Sequence, residues 1–268
     1  MATLQPISTL PPEVCRAARW LLCDIDDTVT TDGRLPAASL AAMEQLQHAG
    51  ISVVPITGRP AGWCDHFARM WPVDAIVGEN GALYMRYDAA SRRMVRVFFV
   101  NDKDRERDRA RLDELRTAIL RAHPGAGIAS DQPYREADLA IDFCEDVPPL
   151  PREQVRAIAE MFRAAGAVAK ISSIHINGWF GDYDKLAMTK RLFREQFQVD
   201  LTRDELGAVF AGDSPNDAPM FGHFSNSVGV ANVLDFVDDL AHAPKYVTAA
   251  RSGDGFVELC AHILAHRD

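Results

Sequence analysis

Trp20-Leu21-Leu22-Cys23-Asp24-Ile25-Asp26-Asp27-Thr28 decides how this chain is read, because an apolar run passes directly into a cluster of carboxylates. A short unbroken apolar run predicts a strand covered on both faces. In an open parallel sheet the functional crevice lies just past the carboxyl ends of such strands. Asp24 and Asp26 are two residues apart, so continued extension would turn both toward one space. Like charges held that close need a cation or a shared proton between them, and a hard divalent metal with oxygen ligands is the natural completion. An EF-hand calcium loop is excluded: it requires Gly six positions in and Glu at the twelfth, where this chain has Val29 and Leu35.

Working outward, Asp32-Gly33 marks a tight turn, Pro36 opens a helix with Leu40, Met43 and Leu46 on one face, and Gly50 closes it. Residues 51–56 read as a second buried strand running into Thr57-Gly58-Arg59-Pro60, where Pro60 begins another helix, and residues 75–77 as a third strand. This β-α-β-α-β order predicts a parallel, helix-covered sheet. Residues 1–17 read as a polar, Pro-containing lead-in.

The rhythm then changes. Residues 83–87 and 95–100 alternate as a hairpin, followed by a long charged helix to about His123, a strand near 139–143, a helix over 151–165 and strands near 168–171 and 174–180. The first pattern resumes at Lys185, with a helix to Phe197, a strand at 208–211, the loop Gly212-Asp213-Ser214-Pro215-Asn216-Asp217, a strand near 227–230, Tyr246-Val247 and a helix from Gly255. The expected fold class is α/β, a parallel-sheet core with helices on both faces plus an inserted α+β cap. The core is discontinuous, residues 1–83 and 184–268, and the cap spans 84–183.

The chain of 268 residues, 47% hydrophobic, is long enough for two modest domains. A formal charge of −9 argues against a general nucleic-acid or membrane-surface role, since both need clustered Lys and Arg. The basic residues between Asp102 and Arg121 alternate with acids, as on a solvated helix face. The cysteines (Cys15, Cys23, Cys64, Cys144, Cys260) are scattered, odd in number and without a C-x-x-C pair, a reduced pattern. With no secretory leader pattern and no apolar stretch of membrane-spanning length, the expected location is cytoplasmic.

Asp24/Asp26, Thr57, Lys185 and the loop from Gly212 to Asp217 stand in order at strand ends or helix starts. Alone, each has an ordinary explanation: Thr57 caps a helix, Lys185 is surface charge, and the loop is a turn. Together and in this order they resemble the haloacid dehalogenase superfamily of aspartyl-phosphate phosphohydrolases, over about residues 19–83 and 184–268. An insert between Thr57 and Lys185 matches the Cof-like branch, which includes sucrose-phosphate phosphatases. Two positions depart from the pattern: Asp27 stands where the family usually has Gly, and Leu186 follows Lys185 where several relatives carry Gly.

The resemblance implies a Rossmann-like core and a phosphatase that uses Mg²⁺. Asp24 is the expected nucleophile, Asp26 the general acid and base, and Thr57 and Lys185 complete the catalytic set. Gly58 and Asn216 join Thr57 and Lys185 at the phosphate. The metal falls to Asp24, Asp213 and Asp217, with the backbone carbonyl of Asp26. Candidate substrate readers are Arg59, Glu79 and Asn80 from the core rim and His175, Asn177 and Asp182 from the returning cap strand. The expected partner is a small-molecule phosphate ester, a sugar phosphate or small phosphorylated acid, for a monomer or homodimer. Alternatives are a phosphomutase of the same superfamily and a non-catalytic receiver-like phosphoprotein.

Overall fold

A computed structural model describes residues 4–172, 174–203 and 205–267. The outer limits of the expected core at residues 1 and 268 lie outside the described residues. The central sheet has six parallel strands in the order Gln5–Pro6, Tyr246–Val247, Ser227–Gly229, Ala208–Gly212, Trp20–Cys23 and Ser52–Pro55. The α/β expectation is met. Successive side chains of Trp20–Cys23 divide between the faces, as the two-residue strand period requires. Leu21 and Cys23 pack with Met43, Leu46, Phe256, Leu259 and Ile263 of helices Ala37–His48 and Ser252–Ala265. Trp20 and Leu22 pack on the other face with Met188, Leu192, Met220 and Phe221 of helices Lys185–Leu192 and Ala218–His223. Helices therefore cover both faces.

The lead-in is not a plain tail. It supplies the edge strand Gln5–Pro6 and helix Pro12–Ala17, with Cys15 buried in the core. A two-residue strand shows no period in sequence.

The hairpin Leu83–Asp88 and Arg93–Phe98 pairs antiparallel with Ile76–Gly78 to make a three-stranded sheet. A parallel bridge from Ile56 to Val77 ties that sheet to the central one, and Tyr84 packs with Met188 and Leu192. The hairpin is thus tied to the core elements and also packs against the insert, Leu83, Met85 and Phe98 sharing an apolar cluster with Trp179.

Beyond it, helix Asp102–Ala122 begins at an Asn101 cap whose side chain accepts from the Asp104 amide. Strands Gly127–Ile128, Leu139–Asp142, His175–Trp179 and Val168–Ile171 form a separate antiparallel sheet. It shares an apolar cluster of its own with that helix and helix Arg152–Ala164, through Leu112, Ile119, Ile158 and Phe162.

Candidate active site

Parallel register aligns the strand ends. Cys23 lies opposite Ala211 on one side and Pro55 on the other, and the Asp24 amide donates to the Ala211 carbonyl at 2.9 Å. Asp24, Asp213 and the Thr57 turn therefore emerge along one edge. Lys185 is brought there from the other side of the insert. Its helix starts at Asp184, whose carboxylate accepts from the Ala187 amide at 2.7 Å. Gly81, at φ +106°, packs its backbone against the Asp184 carbonyl where no side chain would fit.

The Lys185 ammonium donates to Asp24 Oδ1 at 2.7 Å and to Asp217 Oδ1 at 2.8 Å, with all three side chains buried. Burial by itself would lower the lysine pKa, but the Asp217 and Asp24 carboxylates outweigh it and hold the ammonium well above its ordinary value. Asp24 is pushed up to about 7, chiefly by burial, with Lys185 opposing and Asp217 and Asp26 adding to the rise. Asp213 accepts from the Thr28 hydroxyl at 3.2 Å, and its own amide donates to Asp217 Oδ2 at 3.1 Å. Burial and the charges of Asp24 and Asp217 push the Asp213 carboxyl well above the usual carboxylate range. Gly212 is required here, since a Cβ would fall 2.5 Å from Asp217 Oδ2.

Asp24, Asp213 and Asp217 each present a carboxylate oxygen within 4.8 Å of the others. Three buried acids gathered around one ammonium leave a surplus of negative charge in a low-dielectric site. That donor set, all hard oxygen, fits a divalent cation such as Mg²⁺.

Asp26 lies apart from this cluster. The chain turns after Ile25, whose carbonyl accepts from the amides of Thr28, Val29 and Thr30, so strand extension does not persist to Asp26. Asp27 takes φ +57°, the left-handed conformation for which Gly is usual and which Asp tolerates better than most residues. Asn232 braces the same turn by donating to the Asp27 carbonyl at 3.0 Å. The Asp26 carboxylate is gripped by Arg59, Nε at 2.9 and 3.0 Å and Nη2 at 2.7 Å.

Asp24, Asp26 and Asp213 line a cleft between the central sheet and the insert, with Gly58, Asn80 and Asn216 on its core side. His175 and Asn177 meet them from the insert, together with Arg135. The alternation that placed His175 and Asn177 on one sheet face thus brings both to the cleft. Asn177 is already engaged, donating to Asp138 Oδ2 at 2.9 Å. Thr57 and Asp217 lie fully buried behind the lining; the Thr57 hydroxyl accepts from the Arg59 amide at 3.0 Å and can still donate its own proton.

Two expected substrate readers are not in the cleft. Glu79 is fully buried, and its carboxylate accepts the backbone amides of Ala61, Glu136, Ala137 and Asp138 at 2.9, 2.8, 2.7 and 3.2 Å. It fastens the insert to the core, because a buried carboxylate must find donors. Asp182 is exposed and lines no part of the cleft. Arg59 has its guanidinium committed to Asp26.

Arg135, Thr28 and Glu145 carry roles the sequence reading did not assign. Arg135 spans from Asp131 (2.9 Å) and Asp138 (3.0 Å) to the Gly58 carbonyl at 2.9 Å. Thr28 was visible within the opening stretch; Arg135 and Glu145 sit in a segment without a motif.

Residues 21–98 match the family described as haloacid dehalogenase-like hydrolase. A phosphoglycolate phosphatase of Methanosarcina mazei is 30% identical over 244 residues, 89% of this chain and 93% of that protein. A solved structure from Thermoplasma acidophilum superposes with a TM-score of 0.70 at 17% identity, covering 92% of this chain and 98% of that one. The sucrose-phosphatase of Synechocystis, solved with sucrose and phosphate, gives 0.61 at 17% identity over 92% and 98% of the two chains. By the extent of these matches, and with its strand-end acids and lysine gathered as described, the chain belongs to the haloacid dehalogenase-like hydrolases and is a phosphatase.

Proposed function

We propose that the protein hydrolyses phosphate monoesters with Mg²⁺ through an aspartyl-phosphate on Asp24. The observation that carries this reading is the buried meeting of Asp24, Asp213 and Asp217 with Lys185 at the carboxyl ends of the central strands. An Asp24 oxygen attacks phosphorus, the ester P–O bond breaks, and Asp26 protonates the leaving oxygen. Asp26 then takes a proton from water, which attacks the phosphorus and releases Asp24. Lys185 and the donors of Thr57, Gly58 and Asn216 neutralise and orient the phosphoryl oxygens. A cation held by Asp24, Asp213, Asp217 and the Asp26 carbonyl would supply further charge neutralisation. Arg59 anchors Asp26 at the wall of the cleft.

The insert acts as a cap in this reading. The hairpin belongs with residues 1–83 and 184–268, which leaves a smaller cap than residues 84–183. The cleft, about 40 Å³, continues past Asp26 and Arg59 into a second cavity of about 310 Å³. Substrates are sugar phosphates or small phosphorylated acids, in keeping with the named activities of the relatives.

The test is phosphate release from a panel of such esters with Mg²⁺ present; release from none of them defeats the proposal. Asp26→Asn should slow alkyl esters by about 10²–10⁴-fold and an activated aryl phosphate much less, because only poor leaving groups depend strongly on a general acid. Equal losses on the two would remove that role from Asp26.

A pH dependence follows from Asp24. Its folded pKa of about 7 lies above the ordinary 3.8, so between these values the native state holds more protons than the unfolded chain. Its contribution to stability therefore falls as pH rises through that window in metal-free protein. Mg²⁺ needs the ionised carboxylates, so the rise in Tm on adding it should be larger at about pH 7.5 than at about pH 5. Equal rises, read by calorimetry, would contradict the ligand assignment.

A further inference from the structure

The loop after strand Leu139–Asp142 is built around one side chain. The Asp142 carboxylate accepts the amides of Cys144, Glu145 and Asp146 at 2.9, 2.8 and 2.8 Å, which fixes Glu145 at the edge of the cleft. Glu145, with Asp26 and Arg59, lines a second cavity of about 310 Å³ that continues from the cleft. Glu145 Oε2 lies 2.8 Å from His175 Nε2. The two are close but off the direction a hydrogen bond needs, and Nε2 is a buried polar atom without a hydrogen-bond partner. His175 is only 3% exposed and lines the cleft. Buried polar atoms are nearly always paired, so an orphan on a cleft wall points to a group that arrives with the substrate.

On this wall four carboxylates, Asp26, Asp131, Asp138 and Glu145, face two guanidiniums. Arg59 is bound to Asp26 and lies 3.6 Å from Asp131 and 3.9 Å from Glu145. Arg135 is held between Asp131 and Asp138. Neither guanidinium has surplus charge for a second anionic group on a substrate, and Glu145 would face such a group directly. A hydroxyl meets the same wall without conflict: it donates to Glu145 and pairs with His175 Nε2.

Building on the phosphatase reading, we propose that Glu145 and His175 form a subsite for hydroxyls of a neutral leaving group, and that Glu145 turns away esters whose leaving group carries a negative charge. The protein would then favour phosphorylated polyols and sugars over phosphoglycolate, the substrate named for its Methanosarcina relative.

The experiment measures kcat/KM with Mg²⁺ for a neutral sugar phosphate, phosphoglycolate and an aryl phosphate, in the wild type and in Glu145→Gln. Gln keeps the size of the side chain, and the loop amides bond to Asp142 regardless. The wild type should prefer the sugar phosphate by at least about tenfold, and Glu145→Gln should cut that preference by about tenfold, the scale on which like-charge repulsion sets specificity. Wild-type preference for phosphoglycolate overturns the assignment whether or not the variant folds. So does a Glu145→Gln enzyme that turns over the aryl phosphate with its sugar preference intact. Failure of the wild type to release phosphate from any ester, the aryl phosphate included, instead overturns the phosphatase reading and takes this assignment with it.

Discussion

Asp24→Asn is expected to lower kcat for every phosphate ester by at least about 10⁴-fold, since an amide cannot form the aspartyl-phosphate and the remaining groups only bind and polarise. The substitution is nearly isosteric at a buried position. It relieves repulsion from Asp217 and Asp26 while Lys185 keeps its 2.8 Å contact with Asp217. The fold should therefore survive, and circular dichroism with a thermal melt checks it. Near-normal turnover by a folded Asp24→Asn protein would remove Asp24 from the chemistry.

Removing divalent cations should be nearly as severe. A phosphate ester brings negative charge to a site where three buried carboxylates already outnumber one lysine. Without a cation, burial and mutual repulsion keep protons on Asp24 and Asp213, and the loss of an ionised nucleophile and of charge stabilisation amounts to several kcal/mol, or at least about a thousandfold in rate. Chelator should abolish phosphate release and Mg²⁺ restore it, whereas Ca²⁺, with longer bonds and looser coordination, should support it poorly. Full activity in chelator would contradict the metal assignment.

The core of the site was legible in the sequence because each part is a local pattern. An apolar run that ends in Asp24, Asp26 and Asp27 announces a buried strand with charge at its end, and Thr57 and Asp213 follow strands of the same kind. A parallel sheet brings such ends to one edge whatever the loops do, so strand identity alone implied their meeting. The register that sets Cys23 beside both Ala211 and Pro55 is that meeting.

What only the tertiary structure decided depends on partners that have no signature. Glu79 binds the backbone amides of residues 136–138, groups every sequence possesses, so nothing marked it as a fastening between segments rather than a reader of substrate. The grip of Arg59 on Asp26 depends on the turn after Ile25, and the placing of Glu145 on three amides collected by Asp142. Alternation announced the hairpin over Leu83–Asp88 and Arg93–Phe98 but not Ile76–Gly78 as its third strand. Sequence period reports which face of an element is buried; what it is buried against is settled by long-range packing and by the need of each buried polar group for a partner.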